Sequence, residues 1–240
     1  MDSWISLNNQ TTGKDKLARL IQYMSRSIWG ALEKNELNPA LSDQLKSLEY
    51  ILSSFRKLLR FGKCLDVFYQ ALKTIHYPDL TIRMTLTLSK LSQALFLFCD
   101  HMVWLSRSGL SKSINPTQWT QFSNKYWLLS IVLNLVRDLY EIVHILDLYM
   151  TARRTGITSP SLSILTTRDL SRFALHSYAC FVGHKDVVVD TVKNVCDLFI
   201  PLTSLGYTNL SPRTVGLLGV LSSIAGLMAV VQPAAKLVPA

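Results

Sequence analysis

The chain has 240 residues, of which 49% are hydrophobic and 17% charged, and it carries a formal net charge of +9. Charge this sparse in so apolar a chain points to membrane contact, and the excess of Lys and Arg points to an anionic partner, nucleic acid or lipid. The basic residues are interleaved with Leu, Ile and Phe at helical spacing and no nucleic-acid-binding signature is present, so lipid is favoured. Cys64, Cys99, Cys180 and Cys196 are scattered, with no C-x-x-C or H-x-x-x-H, which indicates neither a zinc site nor a disulfide framework. The leading MDSWISLNNQ has no basic and apolar signal pattern, so membrane entry from the cytosol is expected.

Apolar residues recur at three and four along the chain and strand signals are almost absent, so the fold is expected to be all-α. A first helix starts near Thr12, where Thr12 and Asp15 have capping-box spacing. Leu17, Leu20, Ile21, Met24, Ile28 and Leu32 form its apolar stripe, with Lys16, Arg19 and Arg26 elsewhere on the surface, and Asn38-Pro39 ends it. A second run carries Leu41, Leu45, Leu48, Leu52, Phe55 and Leu59 on one face.

The stretch Arg56–Ile75 is the most informative. On a helix at about 100° per residue, Leu58, Phe61, Leu65, Phe68, Leu72 and Ile75 share one side and Arg56, Lys57, Arg60 and Lys63 the other. Such a helix suits a membrane surface, and equally a helix with its Leu face in a protein core and its cations in water. Its stripe is displaced from the preceding one by more than about a third of a turn, so the chain turns to a new partner near Arg56 or bends near Gly62. His76-Tyr77-Pro78-Asp79 is the stop.

Leu80 to Leu105 is strongly apolar but interrupted by Arg83, Lys90, Asp100 and His101. It reads as a membrane span whose polar stripe faces other helices or water, or as an amphipathic bundle helix. Ser106–Thr117 is a loop, and Gln118–Met150 a helix in which Arg137 and Glu141 have i,i+4 ion-pair spacing. Thr151–Leu165, rich in Ser, Thr and Gly, reads as a linker. A helix over Thr167–Ile200, with a break at Gly183, ends at Pro201. Between Arg213 and Lys236 lie 22 residues without an ionisable group. As a helix they reach about 33 Å, the thickness of a bilayer's hydrocarbon core. Gly219 with Ser223 and Ser222 with Gly226 are small-xxx-small pairs suited to helix packing.

Chemistry is sparse. His184 and Asp190 in HKDVVVD are one residue too far apart for an acyltransferase H-x4-D box, and no Walker loop, dinucleotide fingerprint or G-x-S-x-G occurs. The sequence gives no reason to expect an enzyme or a cofactor.

The blocks MDSWISLNNQTTGKDKLARLIQY, RKLLRFGK, FCDHMVW, LNLVRDLYEI, DTVKNVCDLFIPLTSLG and GLLGVLSSIAGL occur in this order over nearly the whole chain. Together they resemble the peroxin-11 family of peroxisomal membrane proteins, most like the alpha type, since only the short Thr151–Leu165 linker stands where the beta type has a glycine-rich insert. The tail departs from alpha-type members in carrying Lys236 alone. The resemblance implies a helical integral membrane protein of the peroxisome. Its predicted transmembrane helices are 84–105 and 214–232, flanking a 106–213 middle region, with 1–83 and 233–240 in the cytosol. It implies promotion of peroxisome elongation, proliferation and division by self-association and by insertion of an amphipathic helix, here Arg56–Ile75. On that reading Arg56, Lys57, Arg60 and Lys63 bind anionic lipid, while Leu58, Phe61, Leu65, Phe68 and Leu72 insert. Gly219, Ser222, Ser223 and Gly226 pack helices. Implied partners are related family members, a fission adaptor of the mitochondrial fission 1 protein type and a dynamin-related GTPase, with no nucleic acid. The alternative function is a pore for small metabolites, motivated by the polar stripe of Arg83, Lys90, Gln93 and Asp100.

Overall fold

A computed structural model describes residues 11–34, 38–111, 113–155 and 185–231. These form seven helices: α1 (Thr11–Lys34), α2 (Pro39–Leu59), α3 (Lys63–Thr74), α4 (Leu80–Arg107), α5 (Pro116–Thr155), α6 (Lys185–Ser204) and α7 (Pro212–Val231). No strand occurs among the described residues. The fold class is all-α, as the periodicity requires. Cys180, His184 and residues 232–240 lie outside the described residues, and so does the expected break at Gly183.

Local chemistry sets several boundaries. Asn38 accepts from the amide of Leu41 at 3.3 Å, with Pro39 in the first turn of α2. Asp79 accepts from the amides of Thr81 (2.7 Å) and Ile82 (3.2 Å) to start α4. The Tyr140 hydroxyl also donates to Asp79 at 2.6 Å, tying the start of α4 to α5. That hydroxyl, with the Ile82 amide, holds the Asp79 carboxyl below its ordinary pKa despite some desolvation. The stretch Arg56–Ile75 is two helices. Gly62 sits at φ 78, a left-handed conformation that glycine adopts without steric cost, and there the chain leaves α2 and starts α3.

Four expectations are corrected. Thr12 lies inside α1, and Asp15 pairs with Arg56 at 3.0 Å instead of closing a capping box. Pro201 lies inside α6, in its last turn: it has no amide to donate to the carbonyl four residues back, yet the helix runs on to Ser204. The helix then closes through Leu205 N–H to Pro201 O at 2.9 Å and Tyr207 N–H to Leu202 O at 2.9 Å. Arg137 bonds Asp138 at 2.7 Å and Asp190 of α6, leaving Glu141 Oε1 buried without a partner among the described residues. The carboxylate across the interface offers better geometry than the one a turn away. The first residues of the linker, 151–155, belong to α5; 156–165 lie outside the described residues.

The helices form a ring. α1 packs on α2 and α7, α7 on α6, α6 on α5, α5 on α4, and α4 back on α2, with α3 laid on α4. Helices from the first, middle and last thirds of the chain therefore share one interior. The α1–α7 seam is the closest. A Cβ on Gly216 would lie 2.4 Å from the Ser27 amide nitrogen, and one on Gly219 would lie 2.3 Å from the Tyr23 ring. Small residues let two backbones approach this closely, and dispersion and shape complementarity act along the seam.

The ring reverses the usual distribution of side chains. Asp15, Arg19, Gln22, Ser25, Asp100, Arg137, Asp138, Asn194 and Asp197 are buried. Exposed large hydrophobics occur on every helix, among them Ile21 and Met24 (α1), Ile51 (α2), Leu65 (α3), Leu95 (α4), Leu129 (α5), Val195 (α6) and Leu221 (α7). The stripe on α1 thus points outward, and its charged residues Arg19 and Asp15 point inward.

Gly216→Ala is expected to lower the thermal unfolding midpoint in detergent, because overpacking against backbone costs about 1–3 kcal/mol. Gly226→Ala should leave the midpoint unchanged or raise it, since its added Cβ meets the flexible head of Lys16 at 3.2 Å and gains about 1 kcal/mol of helix propensity. Equal midpoints for the two variants would contradict the packing.

Candidate functional site

The α2–α3 corner brings the apolar residues of the Arg56–Ile75 stretch to the outside. Leu58 is 47% exposed, Phe61 58%, Leu65 72%, Phe68 49% and Leu72 45%. The opposite side of α3 is anchored: Val67 packs with Ala94 and Leu97 of α4, and Thr74 Oγ1 lies 2.9 Å from Thr87 Oγ1. The turn itself is pinned to α4. His101 Nε2 lies 3.0 Å from the Arg60 carbonyl, and the Phe61 ring rests against His101 (4.9 Å) and Trp104 (6.0 Å). The apolar corner is thus a fixed outward surface on a braced support.

The four basic residues of the same stretch turn the other way and line the ring's interior. Arg56 Nε donates to Asp15 Oδ1 at 3.0 Å and Arg56 Nη1 to Gln22 Oε1 at 2.7 Å. Lys57 Nζ reaches Asp100 Oδ1 at 3.0 Å, and Arg60 Nη2 reaches Asp100 Oδ2 at 2.9 Å. Asp15 lies 3.7 Å from Arg60 as well. Buried charges are kept only where each finds partners, and here α1 and α4 each supply one carboxylate to the cations of α2. A lipid phosphate reaching Arg56, Lys57 or Arg60 has to exchange for Asp15 or Asp100.

The interior is a cavity of about 300 Å³, bounded by α1, α2, α4, α5 and α6. Arg19 is paired with Asp197 of α6 and lies over the rings of Tyr23 (5.5 Å) and Trp127 (6.0 Å). Between α4 and α5, Ser89 Oγ donates to Asn134 Oδ1 at 2.6 Å. Between α5 and α6, Asn194 Nδ2 donates to Asp138 Oδ2 at 2.7 Å. The polar stripe expected on the third segment divides. Asp100 and Gln93 reach the cavity, while Lys90 Nζ bonds Gln70 Oε1 of α3 at 2.8 Å. Gly219, Ser222, Ser223 and Gly226 are all buried, with Gly219 over Tyr23 and Gly226 over Lys16 of α1.

The sequence reading missed the interior residues of α1 and α6: Asp15, Arg19, Asp190 and Asp197. The signal was present in outline. In a chain 17% charged and 49% hydrophobic, each helix gathers its few charges on one side, and such charges face inward when lipid is outside.

α7 is the one described helix long and apolar enough, by length and composition, to cross a membrane. No solved structure matches the chain. A family model described as peroxisomal biogenesis factor 11 matches residues 1–231. The chain is 33% identical to peroxisomal membrane protein 11B of Bos taurus over the full length of both. It is 34% identical to peroxisomal membrane protein 11A of Mus musculus, over 99% of each chain, and 23% identical to the peroxisomal membrane protein 11 homolog of Dictyostelium discoideum, over 94% of this chain and 92% of that one. Identity to the 11A and 11B relatives is nearly the same, so it does not single out the alpha type. With its pattern matched almost from end to end, the chain belongs to the peroxisomal biogenesis factor 11 family.

Proposed function

We propose that the chain remodels the peroxisomal membrane, promoting elongation, proliferation and division. The observation that carries this reading is the exposed apolar corner of Leu58, Phe61, Leu65, Phe68 and Leu72 on a rigidly braced support. Inserted among the acyl chains of the cytosolic leaflet, these side chains add area to that leaflet and bend it outward. Self-association, and association with related family members, concentrates the wedges. A fission adaptor and a dynamin-related GTPase then act on the narrowed tubule.

The spans of this reading are Met84–Leu105, within α4, and 214–232, of which α7 covers the described part to Val231, with both termini in the cytosol. The uncharged length of α7 supports the second span. Outward Met84, Leu88, Leu95 and Phe98, with Asp100 and His101 turned inward, support the first. Anionic lipid phosphates reach Arg56, Lys57, Arg60 and Lys63 by displacing Asp15 and Asp100, so phosphate contact accompanies loosening of the corner.

A second reading, a conduit for small solutes, is supported by the polar and charged lining of the interior.

Leu65→Glu with Phe68→Glu is expected to abolish peroxisome elongation in cells while leaving the fold intact, since both side chains are exposed. Loss of each apolar contact weakens insertion by about 1.5 kcal/mol or more. Elongation at the wild-type level would sink the wedge. Protease protection on intact peroxisomes should expose tags at both termini and protect a tag within 156–165; a protected amino terminus contradicts cytosolic termini, and termini on opposite sides contradict two spans. In planar bilayers, Asn134→Leu should reduce any conductance if the interior conducts, and an unchanged conductance would remove the second reading.

A further inference from the structure

The interior cavity has far more positive than negative charge. Eight cationic side chains and three carboxylates line it, and each carboxylate is already committed. Asp15 serves Arg56 and Arg60, Asp100 serves Lys57 and Arg60, and Asp197 serves Arg19.

The excess is sharpest at the wall shared by α1 and α6. Lys16 makes no hydrogen bond or ion pair among the described residues, although Arg19 and Lys193 lie close enough to repel its charge. Lys193 leans on Asp190, which is not part of the cavity wall. Arg19 is 6% exposed and bonds Asp197 through Nη2, while its Nε–H is buried with no acceptor. A buried donor left unpaired is rare and costly in a native fold. Water filling the cavity would leave the repulsion of Lys16 by Arg19 and Lys193 in place.

We propose that this wall is a binding site for a phosphate group, held by Lys16, Arg19 and Lys193. A phosphate offers three or more acceptor oxygens, which suits two ammonium heads together with the guanidinium of Arg19. The cavity, at about 300 Å³, stands at the lower end of small-ligand sites. The phosphate comes from a free phosphorylated solute or from the headgroup of an anionic phospholipid entering from the leaflet. The inference does not need the wedge, because Lys16, Arg19 and Lys193 belong to α1 and α6 and not to the apolar corner, and it holds whether or not the interior conducts.

The test uses the full chain purified in neutral detergent. Thermal unfolding is followed with inorganic phosphate and pyrophosphate against chloride at equal ionic strength, and bound phospholipid is extracted and identified by mass spectrometry. A free-solute source raises the midpoint by about 5 °C at saturation with no lipid retained. A lipid source retains about one anionic phospholipid per chain and leaves the midpoint insensitive to added phosphate. Either response is expected to disappear in Lys16→Met and weaken at least tenfold in Lys193→Met. Without ligand, Lys16→Met should melt no lower than the wild type, because it removes a desolvated cation that has no ion-pair partner and that Asp15 and Asp197 offset only in part. Absence of both responses, a response undiminished in both variants, or a ligand-free Lys16→Met that melts below the wild type would each overturn the site.

Discussion

The buried charges of α1, α2 and α4 are the constraint on which the architecture depends. Asp100 is held between Lys57 and Arg60, and Asp15 between Arg56 and Arg60. Desolvating one carboxylate costs several kcal/mol, and the cost is recovered only where good geometry and further hydrogen bonds surround it. Two carboxylates shared among three cations meet that condition by drawing α1 and α4 onto the end of α2. This clamp also decides which way the chain faces at Gly62. With the cations turned inward, Phe61, Leu65 and Phe68 have only the outside left.

The same logic runs round the ring. Arg19 and Asp197 join α1 to α6, Arg137 and Asp190 join α5 to α6, and Ser89 and Asn134 join α4 to α5. Polar links inside and an apolar surface outside suit an environment that cannot hydrogen-bond the protein's own groups. Where no polar pair is available, along α1 and α7, the helices rely on Gly216 and Gly219 to come close. Charge pairing and small-residue packing are thus alternative solutions to one problem, holding helices together without a hydrophobic driving force.

Legibility tracked the range of the interaction. Asn38-Pro39 and the stretch ending in Pro78-Asp79 were legible as breaks, because proline restricts its immediate neighbours; that Asn38 and Asp79 cap the helices that follow came from the structure. Gly62 was one of two places where a displaced stripe allowed a bend, and only its positive φ showed that the helix ends there. Arg137 read as a partner of Glu141 by spacing, yet Asp190, 53 positions away, takes it. Pro201 read as a stop because a proline has no amide to donate, but the helix runs on past it to Ser204. Lys90 and Asp100 shared a stripe on paper; one bonds α3 and the other the cations of α2.

From the sequence alone come the all-helical class, the uncharged α7, the separation of apolar from basic residues along Arg56–Ile75, and the ordered blocks that carry the family resemblance. Helical periodicity and composition determine these, since both are properties of neighbouring residues. Which side of each stripe faces inward was decided only by the tertiary structure. Periodicity sorts residues into two faces but carries no sign, because an apolar stripe satisfies a protein core and a lipid bilayer equally well. The sign is supplied by carboxylates on other helices: Asp15 and Asp100 on the cations of α2, and Asp197 on Arg19. These partners are brought together across 41, 43 and 178 positions of chain, a range at which spacing holds no information.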